Sequence, residues 1–157
     1  MTDVFEGQCQ CGDVRYRVSG TAATLFACHC TECQRQSASA FGMALWIKAA
    51  DIELLSGEPK EWIRITPGGK RMACRFCPTC GTRLFHQMLG QAGIVSIKPG
   101  TLDNTKGLAP VAHIWTASRQ SWIEIPEATL QYPQGPPDFE DMFAAWAQVQ
   151  ARTDEQA

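Results

Sequence analysis

The apolar and polar residues of this chain read mostly as short strands. Val14-Arg15-Tyr16-Arg17-Val18 is the clearest case: every second side chain is apolar, as a strand with one buried face requires. Comparable stretches run over residues 24–28, 41–47, 52–55, 60–65, 71–76, 82–87, 94–97, 113–115 and 122–125. Pro67-Gly68-Gly69 separates two of them and reads as a turn, since proline presets the entry and glycine accepts positive φ. Helical spacing is rarer. Phe139, Met142, Phe143 and Trp146 follow the i, i+3, i+4, i+7 rule, which predicts a helix over residues 139–150 capped by Asp138. A short helix is also expected from Thr31 to Ser37. Pro133 to Pro137 reads as an extended linker, and the tail from Arg152 is expected to fray. The pattern as a whole predicts a mainly β protein.

Composition narrows the functional classes. The 157 residues suffice for one domain with a real core. Apolar residues make up 45% and charged residues 19%, ordinary values for a soluble fold. A net charge of −2 gives no long-range pull toward phosphate backbones, so nucleic acid is not the expected partner. No apolar run approaches membrane-spanning length. The polar start, Met1-Thr2-Asp3-Val4-Phe5-Glu6-Gly7, lacks the pattern of a secretory signal, which makes the cytoplasm the expected location and reduced thiols the expected state.

The cysteines change the picture most. Seven of the eight fall into tight groups: Cys9-Gln10-Cys11-Gly12, Cys28-His29-Cys30-Thr31-Glu32-Cys33 and Cys77-Pro78-Thr79-Cys80-Gly81. Packing does not call for thiols so close together, whereas a soft tetrahedral cation such as zinc does. The even count would also permit a disulfide framework, which a reducing compartment disfavours. Cys9, Cys11, Cys77 and Cys80 together supply the four donors of a closed structural site. Cys28, Cys30 and Cys33 supply three, leaving a position for a small molecule such as a thiol, which metal coordination would deprotonate. Gly12 and Gly81 follow the two pairs and allow the tight turns that aim backbone N–H groups at sulfur.

Other residues carry weaker signals. Cys74, the leftover thiol, is expected to pack in a strand, with a fourth-ligand or redox role as the sharper options. His29 sits inside the triplet, but extended backbone would turn its ring away from Cys28 and Cys30, favouring a supporting hydrogen bond or a substrate contact. His86 and His113 read as structural. Arg35, Arg75 and Arg83 could meet a substrate carboxylate or offset thiolate charge. Trp46, Trp62, Trp115 and Trp122 are expected in the core.

The order of Gly7-x-Cys9-x-Cys11-Gly12-x-Val14-x-Tyr16, Cys28-His29-Cys30-x-x-Cys33 and Arg75-Phe76-Cys77-x-x-Cys80-Gly81 resembles the glutathione-dependent formaldehyde-activating enzyme family, whose domain also occurs in centromere protein V. His113-Ile114-Trp115 and Ser121-Trp122-Ile123 extend the resemblance. It implies an Mss4-like β-tent of twisted antiparallel sheets. It implies two zinc ions, a structural one on Cys9, Cys11, Cys77 and Cys80 and a catalytic one on Cys28, Cys30 and Cys33. The implied reaction is a carbon–sulfur lyase type, joining a thiol such as glutathione to a small aldehyde such as formaldehyde. Residues 1–135 would form the zinc-binding domain, with a short helix and tail at 136–157 in the same domain. Expected partners are the small-molecule thiol and aldehyde, without nucleic acid or membrane, and a homodimer is allowed for. The alternatives are a non-catalytic zinc-stabilised binding module and a thiol redox protein.

Overall fold

The computed structural model describes residues 4–91 and 93–156, and it is mainly β. In chain order the elements are β1 (Val4–Gln8), β2 (Arg15–Ser19), β3 (Thr24–Cys28), α1 (Thr31–Ser37), β4 (Gly42–Lys48), β5 (Ile52–Ser56), β6 (Lys60–Ile65), β7 (Arg71–Phe76), β8 (Arg83–Met88), β9 (Ile94–Ile97), β10 (Ala112–Ile114), β11 (Leu130–Tyr132) and α2 (Glu140–Gln156). They sort into two compact units, each built from two separate stretches of chain. The first takes the chain up to Ala22 and Trp46–Gly107. The second takes Ala23–Leu45 and the chain from Leu108 onward.

In the first unit, β1, β2 and β5 form an antiparallel sheet, with Val4 opposite Ser19 and Gln8 opposite Arg15. Alternation along β2 divides its side chains cleanly. Tyr16 and Val18 are fully buried, while Arg15 and Arg17 face out and pair with Glu6. Tyr16 packs edge-on against Phe85, ring centroids 4.9 Å apart, and its hydroxyl meets Thr101 Oγ1 at 2.7 Å. This packing explains Gly7: a Cβ there would run into the Tyr16 ring and come within 2.6 Å of the Thr101 carbonyl oxygen. Strands β9, β8, β7 and β6 lie side by side, antiparallel throughout.

In the second unit the strand order is β11, β10, β3, β4, and β10 runs parallel to both β11 and β3. All five residues of β3 are buried, as a strand covered on both faces requires. Its one polar member, Thr24, donates its hydroxyl to the Met142 carbonyl at 3.3 Å. Helix α2 thus anchors on β3. Asp138 caps it as expected, accepting from the Glu140 N–H at 3.0 Å.

Several expectations need correction. Helix α2 continues past Arg152 to Gln156 rather than fraying there. Residues 122–125 form no strand; an approach to Pro126 and a Trp122 that is 68% exposed leave nothing to pair or bury. Trp62 and Trp115 are also outside the core, 51% and 40% exposed. Of the expected helical face, Met142 and Trp146 are buried and Phe143 is not. Strands β1 and β11 were not indicated by the hydrophobic pattern.

Candidate metal centres

The first cluster is built from two turns of the same kind. After β1, the Gly12 N–H donates to the Cys9 carbonyl at 3.1 Å, with Gly12 at φ +84°. After β7, the Gly81 N–H donates to the Cys77 carbonyl at 2.9 Å, with Gly81 at φ +77°. Positive φ is what these glycines contribute, since a side chain would strain the turn. The turns solve the problem posed by Cys9 and Cys11, whose sulfurs would leave a regular strand on opposite faces. All four sulfurs of Cys9, Cys11, Cys77 and Cys80 lie within 4.8 Å of one another. Cys9 Sγ is 3.5 Å from Cys11 Sγ, which is 3.7 Å from Cys77 Sγ. A zinc–sulfur distance of about 2.3 Å sets a tetrahedron edge of about 3.8 Å, so the donor set fits such an ion.

Donors around two of these sulfurs, Cys9 and Cys80, favour the thiolate form. The Val14 N–H points at Cys9 Sγ at 3.3 Å. Thr82 Oγ1 lies 3.1 Å from Cys80 Sγ and accepts from the Gln10 N–H at 3.1 Å, linking the two turns. The Thr82 hydroxyl and backbone N–H bring the Cys80 thiol down to about 5.

The second cluster sits where β3 passes into α1. Cys28 ends the strand, Cys30 is the N-cap of the helix and Cys33 lies in its first turn. Their sulfurs also lie within 4.8 Å of one another, and among the described residues no fourth Cys, His, Asp or Glu joins them. Cys30 Sγ accepts from the Cys33 N–H at 3.4 Å. Hydrogen bonds from Cys28 and Cys33 bring the Cys30 thiol down to about 2, while the bonds to Cys30 and Cys33 push Cys28 up. The capping sulfur is thus the one that most favours the thiolate form, and Cys28 the one that resists it. Gly42 lets β4 begin against this helix: a Cβ there would stand 2.7 Å from Gln36 Nε2 and 3.3 Å from Cys33 Cβ.

His29 turns away from its cysteine neighbours, as extended backbone dictates. It is fully buried, and its Nε2 lies 2.8 Å from Nδ1 of His113, the two rings stacked 5.1 Å apart with Phe41 beside them. One ring donates its N–H and the other accepts, which requires an unprotonated acceptor nitrogen. Burial keeps both rings from charging, His113 being brought down to about 4 by burial and then by His29 and Arg119.

Sequence reasoning missed the support of the peptide between Cys28 and Cys30. The His29 carbonyl accepts from Gln34 Nε2 at 2.8 Å and from Ser118 Oγ at 2.9 Å. Gln34 also reaches the Ser118 carbonyl at 3.0 Å. Nothing local marks Ser118, which lies 89 residues from its partner. The singled-out arginines hold neighbours instead: Arg35 pairs with Glu32, Arg75 with Glu61, and Arg83 bonds His86 Nε2 at 3.0 Å. Cys74 is buried in β7 and belongs to neither cluster.

The profile of the glutathione-dependent formaldehyde-activating enzymes matches residues 4–118, a stretch that includes both clusters. The chain belongs to that family. A crystal structure of a Rhodobacter sphaeroides protein shares the fold at 22% identity, covering 69% of this chain and 98% of that one with a TM-score of 0.53. No curated protein matches the chain. For this member of the formaldehyde-activating family, the two donor sets are the feature that bears on chemistry: one is complete and the other is a donor short.

Proposed function

We propose that this protein is a zinc-dependent enzyme that forms or cleaves a carbon–sulfur adduct between a thiol, glutathione or a similar one, and a small aldehyde such as formaldehyde. Cys9, Cys11, Cys77 and Cys80 would hold the structural zinc. Cys28, Cys30 and Cys33 would hold the second ion. The observation that carries the reading is the three-sulfur set at the β3–α1 junction, in a chain whose other set has four.

Zinc, when bound there, supplies chemistry that the chain lacks: it makes a substrate thiol a thiolate at neutral pH. The chain's own contribution is geometric. Gln34 and Ser118 fix the His29 carbonyl, and with it the spacing of Cys28 and Cys30. The buried His29–His113 pair forms an uncharged wall behind that segment. In the forward direction a sulfur–carbon bond forms, the carbonyl π bond opens, and the thiol proton ends on the new hydroxyl; no oxidant or reductant is needed. The cytoplasm, with its abundant reduced thiol, is the compartment this chemistry suits.

Zinc analysis and thiol titration test the reading together. Two zinc ions per chain, with one perturbed spectroscopically by glutathione in a cobalt-substituted sample, is the expected result. A single ion, with Cys28, Cys30 and Cys33 freely alkylated in the native protein, would reject it.

A further inference from the structure

The unit that carries the triplet is acidic. Among its residues 23–45 and 108–157 there are eight Asp and Glu but only three cationic side chains, Arg35, Arg119 and Arg152. Three thiolates around a divalent ion add a further formal charge of −1. A cation able to receive an anionic substrate is therefore scarce in this unit. Arg35 is committed to Glu32 at 2.7 Å, and Arg152 lies near the exposed C-terminal end of α2. Among the described residues, no carboxylate lies within ion-pair distance of Arg119.

Arg119 is held on an unusually well-fixed loop. On one side the Trp115 N–H donates to the Gln134 carbonyl at 3.0 Å, the Ala117 N–H to Pro133 at 3.1 Å, and Thr116 Oγ1 to Tyr132 at 3.1 Å. On the other, Ser118 and Gln34 bind the His29 carbonyl between Cys28 and Cys30, and Gln120 Nε2 reaches Gln34 Oε1 at 3.2 Å. Residue 119 thus follows directly on the residue tied to the ligand segment. Its guanidinium spends one nitrogen on the Ile123 carbonyl at 2.8 Å, leaving the rest of the fork to solvent. The loop also stores strain. Trp115 adopts φ +57°, a left-handed conformation that a bulky side chain rarely takes, while its ring is 40% exposed. A strained backbone, fixed at both sides, carries a cation without a carboxylate partner and an exposed aromatic, one and three residues from Ser118, which binds the carbonyl between Cys28 and Cys30. The charge also reaches the buried rings of His29 and His113, where it is a minor cause of their lowered pKa values.

We propose that Arg119 is the specificity-determining residue of this site: its guanidinium pairs with a carboxylate of the incoming thiol, so that the protein selects thiols that carry one. Arg119 takes no part in the bond-making step. The inference rests on the thiol-binding reading of the triplet and narrows it to a substrate class. The guanidinium fork suits a planar carboxylate and would hold it in a fixed orientation.

A pair of thiols of similar size tests it, 3-mercaptopropionate with a carboxylate and 2-mercaptoethanol without. Each is titrated into cobalt-loaded protein, and the change in the cobalt absorption bands gives Kd. Arg119→Gln should weaken 3-mercaptopropionate by about fivefold, as for a solvent-screened ion pair, and leave 2-mercaptoethanol within about twofold. Arg119→Lys should fall between, and raising the salt concentration should erase the difference between wild type and Arg119→Gln. Equal effects on both thiols, or none on either, would overturn the proposal while leaving the thiol site standing. If neither thiol perturbs the cobalt bands of the wild type, the thiol-binding reading falls and this inference falls with it. Unchanged cobalt stoichiometry and circular dichroism in both variants exclude misfolding as the cause.

Discussion

Single residues in this protein do work that their neighbours in sequence do not reveal. Gly81 is a test of backbone freedom alone, because a Cβ at that position would meet no atom within 4 Å. Gly81→Ala should therefore cost about 1 kcal/mol, the price of a left-handed alanine, and denaturant melts of the zinc-loaded protein will show it. Gly7→Ala should cost clearly more, since Tyr16 and the Thr101 carbonyl occupy the space. His86 makes a different prediction. Burial first, then Lys98, Arg83 and Arg64, bring its pKa down to about 2 from 6.5. A histidine depressed in the folded state stabilises the fold fully above its unfolded pKa and loses that contribution as pH falls. Between pH 6.5 and pH 5 the unfolded chain gains the proton that the folded chain refuses, so His86 alone should cost about 2 kcal/mol by pH 5. Stability measured across that range should fall less steeply in His86→Gln; parallel curves would contradict the assignment.

At the scale of elements, what could be read from the sequence depended on distance along the chain. Strands β3, β6, β7 and β9 and helix α1 fall on the residues that local pattern indicates. Their signals are local: alternation, a buried apolar run, a turn at each end. Strand β1 escaped because Val4-Phe5-Glu6-Gly7-Gln8 lacks alternation, and it is held by non-local pairing, with β2 on one side and a bridge from Gly7 to Leu102 on the other. The parallel pairing of β3 with β10 joins Phe26 to Ala112, and no local signal encodes that register. The same limit separates the two halves of the site. Spacings of two and three residues exposed the cysteine groups, whereas the His29–His113 contact spans 84 residues and could not be inferred. Tryptophan misled for a further reason: residue type gives burial only on average, and three of the four singled out are substantially exposed. Helix α2 also offers a packing test. Met142 is fully buried and its carbonyl holds Thr24, so Met142→Ala should destabilise by about 2–5 kcal/mol in thermal or denaturant melts. Phe143→Ala, on the exposed side, should cost much less.

For the molecule as a whole, the chain's path matters more than any single contact. Each compact unit needs two stretches of sequence with the other unit's residues between them, and β4 carries residues of both. That interleaving argues that residues 1–135 and the terminal helix melt as one domain. Calorimetry should give a single transition whose van't Hoff and calorimetric enthalpies agree. Metal removal should be stepwise: a chelator with a colorimetric readout should strip the three-sulfur site before the four-sulfur one, because a missing ligand leaves a route for attack. Release of both ions in one phase would argue against the difference in coordination. The first unit's path has a consequence for biosynthesis. Cys11 and Cys77 are 66 residues apart, so a ribosome adding about 5–20 residues per second leaves the first thiol pair without its partners for about 3–13 s. During that interval the nascent chain offers Cys9 and Cys11 to any oxidant or competing cation in the cell; with zinc as the proposed occupant, its supply at the moment of translation would set how much correctly assembled protein is made.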